Sequence, residues 1–274
     1  MNPTKIKLVY FSPTGTTKTV LENIAQGIGL KLTEIVNITQ PATRQNPLDA
    51  ANNELLIVGV PVYMGRIPAF VANWLHGIRA ENTPAIGVVV YGNRAYENSL
   101  LELTDILSKC GCKIMAGAAF IGEHSFSSAD LPSSVGRPDL ADRELAETFG
   151  RRIKNMLQVS SSINEFSGLE IPGERPYGGV TNLWHIDFIE VNNQCDQCGI
   201  CAANCPTGAI DFENSSIINK EKCTLCCACI KQCPKRAKSM KLGLMKDAAI
   251  RCTSFVNRRE PEFFFISQLR PSEM

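Results

Sequence analysis

Cysteine spacing is the feature of this sequence that indicates chemistry most directly. Eight of the twelve cysteines form one pattern written twice, and each position of the second copy lies 28 residues after its counterpart. The copies consist of Cys195, Cys198, Cys201 and Cys205, and of Cys223, Cys226, Cys229 and Cys233. A proline follows the last cysteine of each copy. Because thiolates are ligands for soft metals, we expect this segment to hold metal centres.

The repeated spacing resembles the motif of bacterial ferredoxins that bind two 4Fe-4S clusters. In that family the fourth cysteine of each copy ligates the other cluster, so the two sites are interlocked. The resemblance implies one ligand group, the first cysteine set, made of Cys195, Cys198, Cys201 and Cys233. It implies another, the second cysteine set, made of Cys223, Cys226, Cys229 and Cys205. The alternative is a pair of four-cysteine zinc sites, although zinc ribbons pair two C-x2-C units and do not use a third cysteine.

Composition and charge restrict the class of protein. The 274 residues are 44% hydrophobic and 20% charged, which suffices for a core without disulfides. The first residues show no signal-peptide pattern, and the longest apolar run, 55–64, is too short to cross a bilayer. We therefore expect a cytoplasmic location, where reduced thiols serve as metal ligands. A formal net charge of +1 gives no general attraction to nucleic acid or membrane.

A second group of chemically informative residues follows the first apolar stretch. The segment Ser12-Pro13-Thr14-Gly15-Thr16-Thr17 combines hydroxyls, a glycine and backbone N–H groups ahead of a predicted helix. Such a combination can cradle an anion. The lysine of a P-loop and the glycine pattern of a dinucleotide fold are both missing. The simpler alternative is a helix cap with a turn glycine.

Alternating strand and helix patterns position this loop. Apolar runs predict strands over 6–11, 32–36, 55–60, 85–91 and 113–121. Helical patterns cover 17–28, 69–78, 95–110 and 139–157. Alternation of this kind predicts an α/β fold with a parallel sheet covered on both faces. Five strands in this rhythm suit a flavodoxin-like, doubly wound sheet with a ligand at the carboxyl edge of the strands.

The first loop resembles the flavodoxin phosphate loop, S/T-x-T-G-x-T, which binds the phosphate of FMN. The resemblance implies that the phosphate contacts are Ser12, Thr14, Gly15, Thr16 and Thr17. It also implies that the loops after the third and fourth strands hold the isoalloxazine ring. The ring-binding candidates in these loops are Pro61, Tyr63, Met64, Gly65, Arg66, Tyr91, Gly92, Asn93 and Tyr96.

Individual roles follow from the same resemblance. Tyr63 and Tyr96 are expected to flank the ring, while Gly92 and Asn93 approach its pyrimidine side. The peptide between Met64 and Gly65 stands where some flavodoxins turn a peptide over, because glycine tolerates positive φ. Arg66 either stabilises negative charge on the ring or points to solvent.

Together the two halves resemble the fused flavodoxin–ferredoxin proteins of anaerobic bacteria and archaea. The resemblance implies FMN, two 4Fe-4S clusters and a role in intracellular electron transfer. We expect a flavodoxin-like FMN domain at 1–160, a linker at 161–187 and a small α+β ferredoxin domain at 188–240. The tail, 241–274, contains three consecutive phenylalanines and is expected to pack back on the domains.

The expected function is electron transfer between low-potential one-electron carriers and FMN through the two clusters. The sequence shows no catalytic nucleophile or general base, so the chain would hold and tune cofactors. Expected partners are redox proteins, namely ferredoxin-dependent or flavin-dependent oxidoreductases. One alternative is a flavin-dependent reductase of a small acceptor, which a roomy pocket over the flavin would favour. Another is a redox or oxygen sensor, although no DNA-binding pattern is present.

Overall fold

The computed structural model describes residues 3–159, 169–179 and 185–266. The strands are β1 (Lys5–Tyr10), β2 (Lys31–Asn37), β3 (Asp49–Ala50), β4 (Glu54–Pro61), β5 (Arg79–Ala80), β6 (Thr83–Tyr91), β7 (Cys112–Ile121), β8 (Ile189–Val191), β9 (Lys238–Met240) and β10 (Glu262–Phe265). The helices are α1 (Thr16–Ile28), α2 (Ala69–Leu75), α3 (Ser99–Lys109), α4 (Leu140–Val159), α5 (Ile200–Ala203), α6 (Ala228–Lys231) and α7 (Leu244–Cys252), and a 3-10 turn spans Pro41–Gln45.

The main sheet has the order β10-β7-β6-β4-β1-β2. Its five predicted strands are parallel to their neighbours, and their order is that of the flavodoxin-like doubly wound sheet. The central strands β4 and β6 are buried almost throughout, as expected for a sheet covered on both faces. The predicted fold class is therefore confirmed.

A sixth strand extends the sheet beyond the five that were expected. β10 pairs antiparallel with β7, with Phe263 opposite Ala118 and Phe264 opposite Gly117. Phe263 and Phe265 pack against the ring of Phe149 on α4, with centroids 5.0 and 5.2 Å away. The antiparallel strand covers an edge that would otherwise present unpaired backbone groups. Local periodicity could not place it, because its partner strand lies more than 140 residues earlier.

Helices cover both faces of the sheet and direct its loops to one edge. α1 and α4 bury their apolar residues against one face, and α2 and α3 cover the other. The two helices α1 and α4 touch through glycines. A Cβ on Gly27 would lie 2.1 Å from the carbonyl oxygen of Glu147, and one on Gly150 would lie 2.2 Å from that of Ile24. Only glycine permits this approach, which brings the C-terminal end of α1 directly against α4.

The cysteine-rich region forms a separate small core. β8 and β9 make an antiparallel pair, and each half of the repeat contains one short helix, α5 in the first half and α6 in the second. The two halves repeat one backbone contact: the N–H of Ala209 donates to the Sγ of Cys205, and the N–H of Ala237 donates to the Sγ of Cys233, both at 3.2 Å. Sequence repetition thus corresponds to structural repetition.

The domain boundaries expected from the sequence stay predictions. Residues 160–168 and 180–184, which include much of the predicted linker at 161–187, fall outside the described residues. Within the described ranges, no helix combines the length and apolar character that crossing a membrane requires.

Candidate functional site

A pocket lies at the carboxyl edge of the parallel strands, the edge at which such sheets bind ligands. Four loops contribute to it, those following β1, β4, β6 and β7. The lining residues are Ser12, Pro13, Thr14, Thr16, Thr17, Pro61, Val62, Tyr63, Val90, Tyr91, Gly92, Gly122, Glu123, His124, Ser125 and Cys226. The sheet order thus brings the first three predicted loops together at one point.

The end of the pocket beside α1 suits an anion. Gly15 has a φ of +89° and turns the chain directly into the helix, which leaves first-turn N–H groups without helical partners. The hydroxyl of Ser12 accepts a bond from the N–H of Lys18 at 3.0 Å. Thr17 is fully buried, and its hydroxyl has no hydrogen-bond partner among the described residues. An unpaired buried hydroxyl at a helix N-terminus fits a bound phosphate.

The other end of the pocket suits a planar ring. Tyr63, Tyr91 and Gly92 line it, and the buried hydroxyl of Tyr91 has no partner in the described parts of the chain. A Cβ on Gly92 would lie 2.1 Å from the Cδ2 of His124, so the ring of His124 rests directly on the glycine backbone. Gly92 therefore sets the depth of the pocket at this end.

His124 lines the pocket but is not among the candidates predicted from the sequence. Its Nδ1 accepts a bond from the N–H of Phe126 at 3.1 Å, so Nε2 carries the proton and faces the Sγ of Cys252 at 3.5 Å. Burial, together with the charges of Lys231 and Arg94, lowers the pKa of His124 to about 4. A neutral, anchored imidazole therefore forms one wall of the pocket at neutral pH. The sequence feature that could have identified His124 is its position directly after the fifth predicted strand, at the same edge of the sheet as the other pocket loops.

Several predicted ring-binding residues lie outside the pocket lining. Met64 and Gly65 form the tip of a two-residue turn, in which the N–H of Tyr63 donates to the carbonyl of Arg66 at 2.9 Å and the N–H of Arg66 donates back at 3.1 Å. Both tip residues have positive φ, 53° and 80°, as a type I′ turn requires. The turn therefore holds Tyr63 at the pocket, while Met64 and Gly65 at its tip are not part of the pocket lining.

Arg66 also lies outside the pocket, in an ion pair. Its guanidinium donates to both carboxylate oxygens of Glu102 at 2.8 and 2.7 Å, and stacks on the ring of Tyr177 at 4.8 Å. The hydrogen bonds to Glu102 are the main cause of the raised pKa of Arg66. Glu102 also accepts from the N–H of Ile67 at 3.0 Å. Arg66, in the loop after β4, is therefore paired with Glu102 on α3 and is not among the residues that line the pocket.

Asn93 and Tyr96 contact the C-terminal segment instead of the pocket. The amide nitrogen of Asn93 donates to the carbonyls of Phe255 and Asn257 at 2.7 and 2.9 Å. The hydroxyl of Tyr96 donates to Glu262 on β10 at 2.8 Å. These two residues tie the segment that follows α7 to the loop after β6, a role with no local sequence signal.

The first cysteine set lines one cavity of the cysteine-rich region. All four cysteines of the set line it, together with Asp196, Ile200, Ser215, Pro234, Lys235 and Lys238. Cys198 is exposed, so this cavity lies near the surface. The described structure thus brings together four thiols separated by up to 38 residues, in the grouping that the interlocked motif implies.

The second cysteine set lines another cavity, and its Cys226 is buried. Burial raises the pKa of the Cys226 thiol to about 12, and the neighbouring Cys205 and Cys223 add to the increase. Cys227 lines the same cavity, and its φ of 57° starts the α6 turn. A cavity lined by four cysteine thiols fits an iron–sulfur cluster, which is held by four thiolates.

The cysteine-rich region packs against the pocket edge of the sheet. The ammonium of Lys231 on α6 forms an ion pair with Glu123 and donates to the carbonyl of Ser127 at 3.1 Å. The amide of Gln232 donates to the carbonyl of Pro13 in the phosphate loop at 2.9 Å. Cys226 reaches the pocket itself. A member of the second cysteine set and the candidate ring site therefore share one wall.

Comparison with known proteins agrees with both halves. The flavodoxin domain family matches residues 7–98, and the 4Fe-4S binding domain family matches 190–211 and 216–239. A flavodoxin from the domain Archaea shares 15% identity, covering 56% of this chain and 99% of its own, with a TM-score of 0.39. A Fusobacterium nucleatum flavodoxin bound to flavin mononucleotide shares 17% identity, covering 57% and 99%, with a TM-score of 0.37. No curated protein matches the chain.

The two family matches carry the assignment. A flavodoxin domain indicates FMN, and two matched repeats of a 4Fe-4S binding domain indicate two clusters. Both cofactors serve electron transfer. The chain is a fusion of a flavodoxin-like domain with a ferredoxin-type 4Fe-4S domain.

Proposed function

We propose that this chain is a cytoplasmic electron carrier that passes single electrons between a redox protein and bound FMN through two 4Fe-4S clusters. One observation carries the proposal: Cys226, of the second cysteine set, lines the same pocket as the phosphate loop and Tyr63. A cluster on that set would stand beside the flavin with no intervening domain. Clusters need reduced thiols, which accords with a cytoplasmic location.

The proposed ligands are the residues that the structure groups. Each cysteine set would hold one cluster. Ser12, Thr14, Thr16 and Thr17 would hold the phosphate of FMN, and Tyr63, Tyr91 and Gly92 would enclose its ring. When bound, FMN accepts electrons singly or in pairs, which lets a one-electron path meet a two-electron partner.

The difference in burial between the two cysteine sets suggests the direction of electron transfer. Cys198 of the first set is exposed, whereas Cys226 of the second set is buried against the flavin pocket. A partner protein would therefore meet the first set, and the second set would relay the electron to the flavin. The partners expected at that surface are ferredoxin-dependent or flavin-dependent oxidoreductases.

The shared wall favours a carrier over a reductase of small acceptors. Cys226 closes one side of the pocket, and His124 is anchored over Gly92 on another. A small acceptor would have to reach the ring past these two contacts. Turnover of quinones or other small acceptors by the FMN-loaded chain, faster than electron delivery to a redox protein, would favour the reductase instead.

The test is whether electrons pass from cluster to flavin within one molecule. A light-activated reductant delivers less than one electron per anaerobic holoprotein molecule, and cluster and flavin absorbance are followed over time. We expect flavin reduction after cluster reduction at a rate that does not change with protein concentration. A rate proportional to protein concentration would mean transfer between molecules and would refute the proposed path. FMN-free protein, which retains the clusters, serves as the control.

A further inference from the structure

Lys238 on β9 is a buried ammonium at the first cysteine set. Its side chain is 4% exposed and lines the cavity that the set surrounds. Its Nζ donates to the backbone carbonyl of Ser215 at 2.6 Å. Ser215 lines the same cavity, and its buried hydroxyl has no partner within the described residues. Polar groups of the chain thus gather on one wall of this cavity.

Lys238 has no carboxylate partner in the described parts of the chain, which is unusual for a buried lysine. Buried charges are ordinarily paired, because removing an ion from water costs several kcal/mol. Lys7, the other buried lysine of this chain, follows the rule, with Glu34 at 3.0 Å and Glu54 at 3.2 Å. Its hydrogen-bond acceptor is a neutral backbone carbonyl, and the cavity that it lines is bordered by all four cysteines of the first set.

The internal repeat shows that packing alone does not require a lysine here. Twenty-eight residues earlier, the corresponding position is Ile210, which is also 4% exposed. The preceding residues, Ala209 and Ala237, make the same 3.2 Å N–H contact to a cysteine sulfur. One backbone geometry therefore carries an apolar side chain in one copy and an ammonium in the other.

We propose that Lys238 is the counter-charge of the cluster on the first cysteine set and holds its reduction potential above that of the second. The inference rests on the proposed function. Reduction adds one negative charge to a cluster, and a nearby cation in a low-dielectric interior stabilises the reduced form. Lys238 lines the first cavity and is not among the residues that line the second. An electron from a partner protein would then remain on the cluster of the first cysteine set until it is transferred to the flavin.

The test is potentiometric titration of the anaerobic holoprotein, with both clusters followed by electron paramagnetic resonance. In Lys238→Met we expect the higher cluster couple to shift at least tenfold toward the oxidised form, which is about 59 mV for one electron. Lys238→Gln removes the charge but keeps a donor for the Ser215 carbonyl, so it covers the case in which the methionine variant fails to assemble. A change below twofold in Lys238→Gln overturns the proposal.

Two further variants separate charge from packing. Lys238→Arg keeps the charge and should retain the wild-type potential; a fall equal to that of Lys238→Gln would overturn the electrostatic account. Lys235→Met removes an exposed lysine of the same cavity that already pairs with Asp196 at 3.7 Å, and should shift the couple less. Iron and sulfide per chain are measured in every sample. Wild-type protein without clusters would refute the proposed function, whereas intact clusters with unchanged potentials would refute only the role of Lys238.

Discussion

Replacing Gly92 with alanine should weaken FMN binding through a steric conflict with His124. The new Cβ would lie 2.1 Å from Cδ2, 2.7 Å from Cγ and 2.9 Å from Cβ of His124, against 3.4–4 Å for ordinary contact. The imidazole must therefore move by more than 1 Å. It cannot do so freely, because its Nδ1 accepts from Phe126 and its Nε2 faces Cys252.

Overpacking of this kind costs about 1–3 kcal/mol. At about 1.4 kcal/mol per tenfold change, the dissociation constant of FMN should rise about five- to 150-fold. The assay is titration of the flavin-free protein with FMN, followed by the quenching of flavin fluorescence. Gly178→Ala is the matched control, because its Cβ would have a single neighbour, the Nδ2 of Asn98 at 3.5 Å.

Relief of the conflict provides a second measurement. In Gly92→Ala with His124→Ala, the contacts at 2.1 and 2.7 Å disappear and only the one at 2.9 Å remains. We expect the double variant to bind FMN more tightly than Gly92→Ala alone. If Gly92→Ala binds as tightly as Gly178→Ala, or if removing the imidazole restores nothing, the reasoning about this wall of the pocket is wrong.

Four other results are expected. Lys231→Met should slow electron transfer from cluster to flavin, because it removes the ion pair to Glu123 and the hydrogen bond to the Ser127 carbonyl. The rate is measured with the light-activated reductant described under the proposed function. Glu102→Gln should lower the free energy of unfolding by about 3 kcal/mol in a urea titration, because it leaves the largely buried Arg66 charge without its partner. The pKa of His124 is about 4 in the folded protein, against 6.5 for the free side chain. Between these two values the unfolded chain binds more protons than the folded one, so stability falls as pH drops from about 6.5 to 4. Unfolding measured at a series of pH values should show a shallower fall in stability for His124→Gln. Metal analysis of anaerobic protein should give about eight irons and one FMN per chain, as two cubane clusters require.

Each of these has a control or a contrary outcome. Lys220→Met removes an exposed lysine and should leave the rate of electron transfer unchanged; an equal slowing would exclude the Lys231 contact as the cause. Glu147→Gln, whose carboxylate pairs with Arg151 on the surface of α4, should cost under about 1 kcal/mol. Equal pH slopes in wild type and His124→Gln would show that other groups dominate the acid response. Zinc without sulfide would overturn the cluster assignment.

The sequence by itself determined the chemistry and the general fold. Cysteine spacing and the phosphate loop are patterns within about 40 residues, and strand and helix periodicity is shorter still. Five parallel strands and their flavodoxin-like order followed from these, because strand and helix alternation restricts the topology to a small set. The loops then meet at one edge by necessity, which is why Tyr63, Tyr91 and Gly92 were found.

Only the tertiary structure decided which side chains face the pocket and what stands opposite them. Arg66 pairs with Glu102 on α3, and Asn93 with Phe255, more than 160 residues away. Cys226 reaches the flavin pocket because α6 docks beside the phosphate loop, and β10 joins a strand far earlier in the chain. Such contacts depend on how separate segments pack. Local residue patterns encode the segments, but the free energy that selects one packing comes from surfaces formed only after folding.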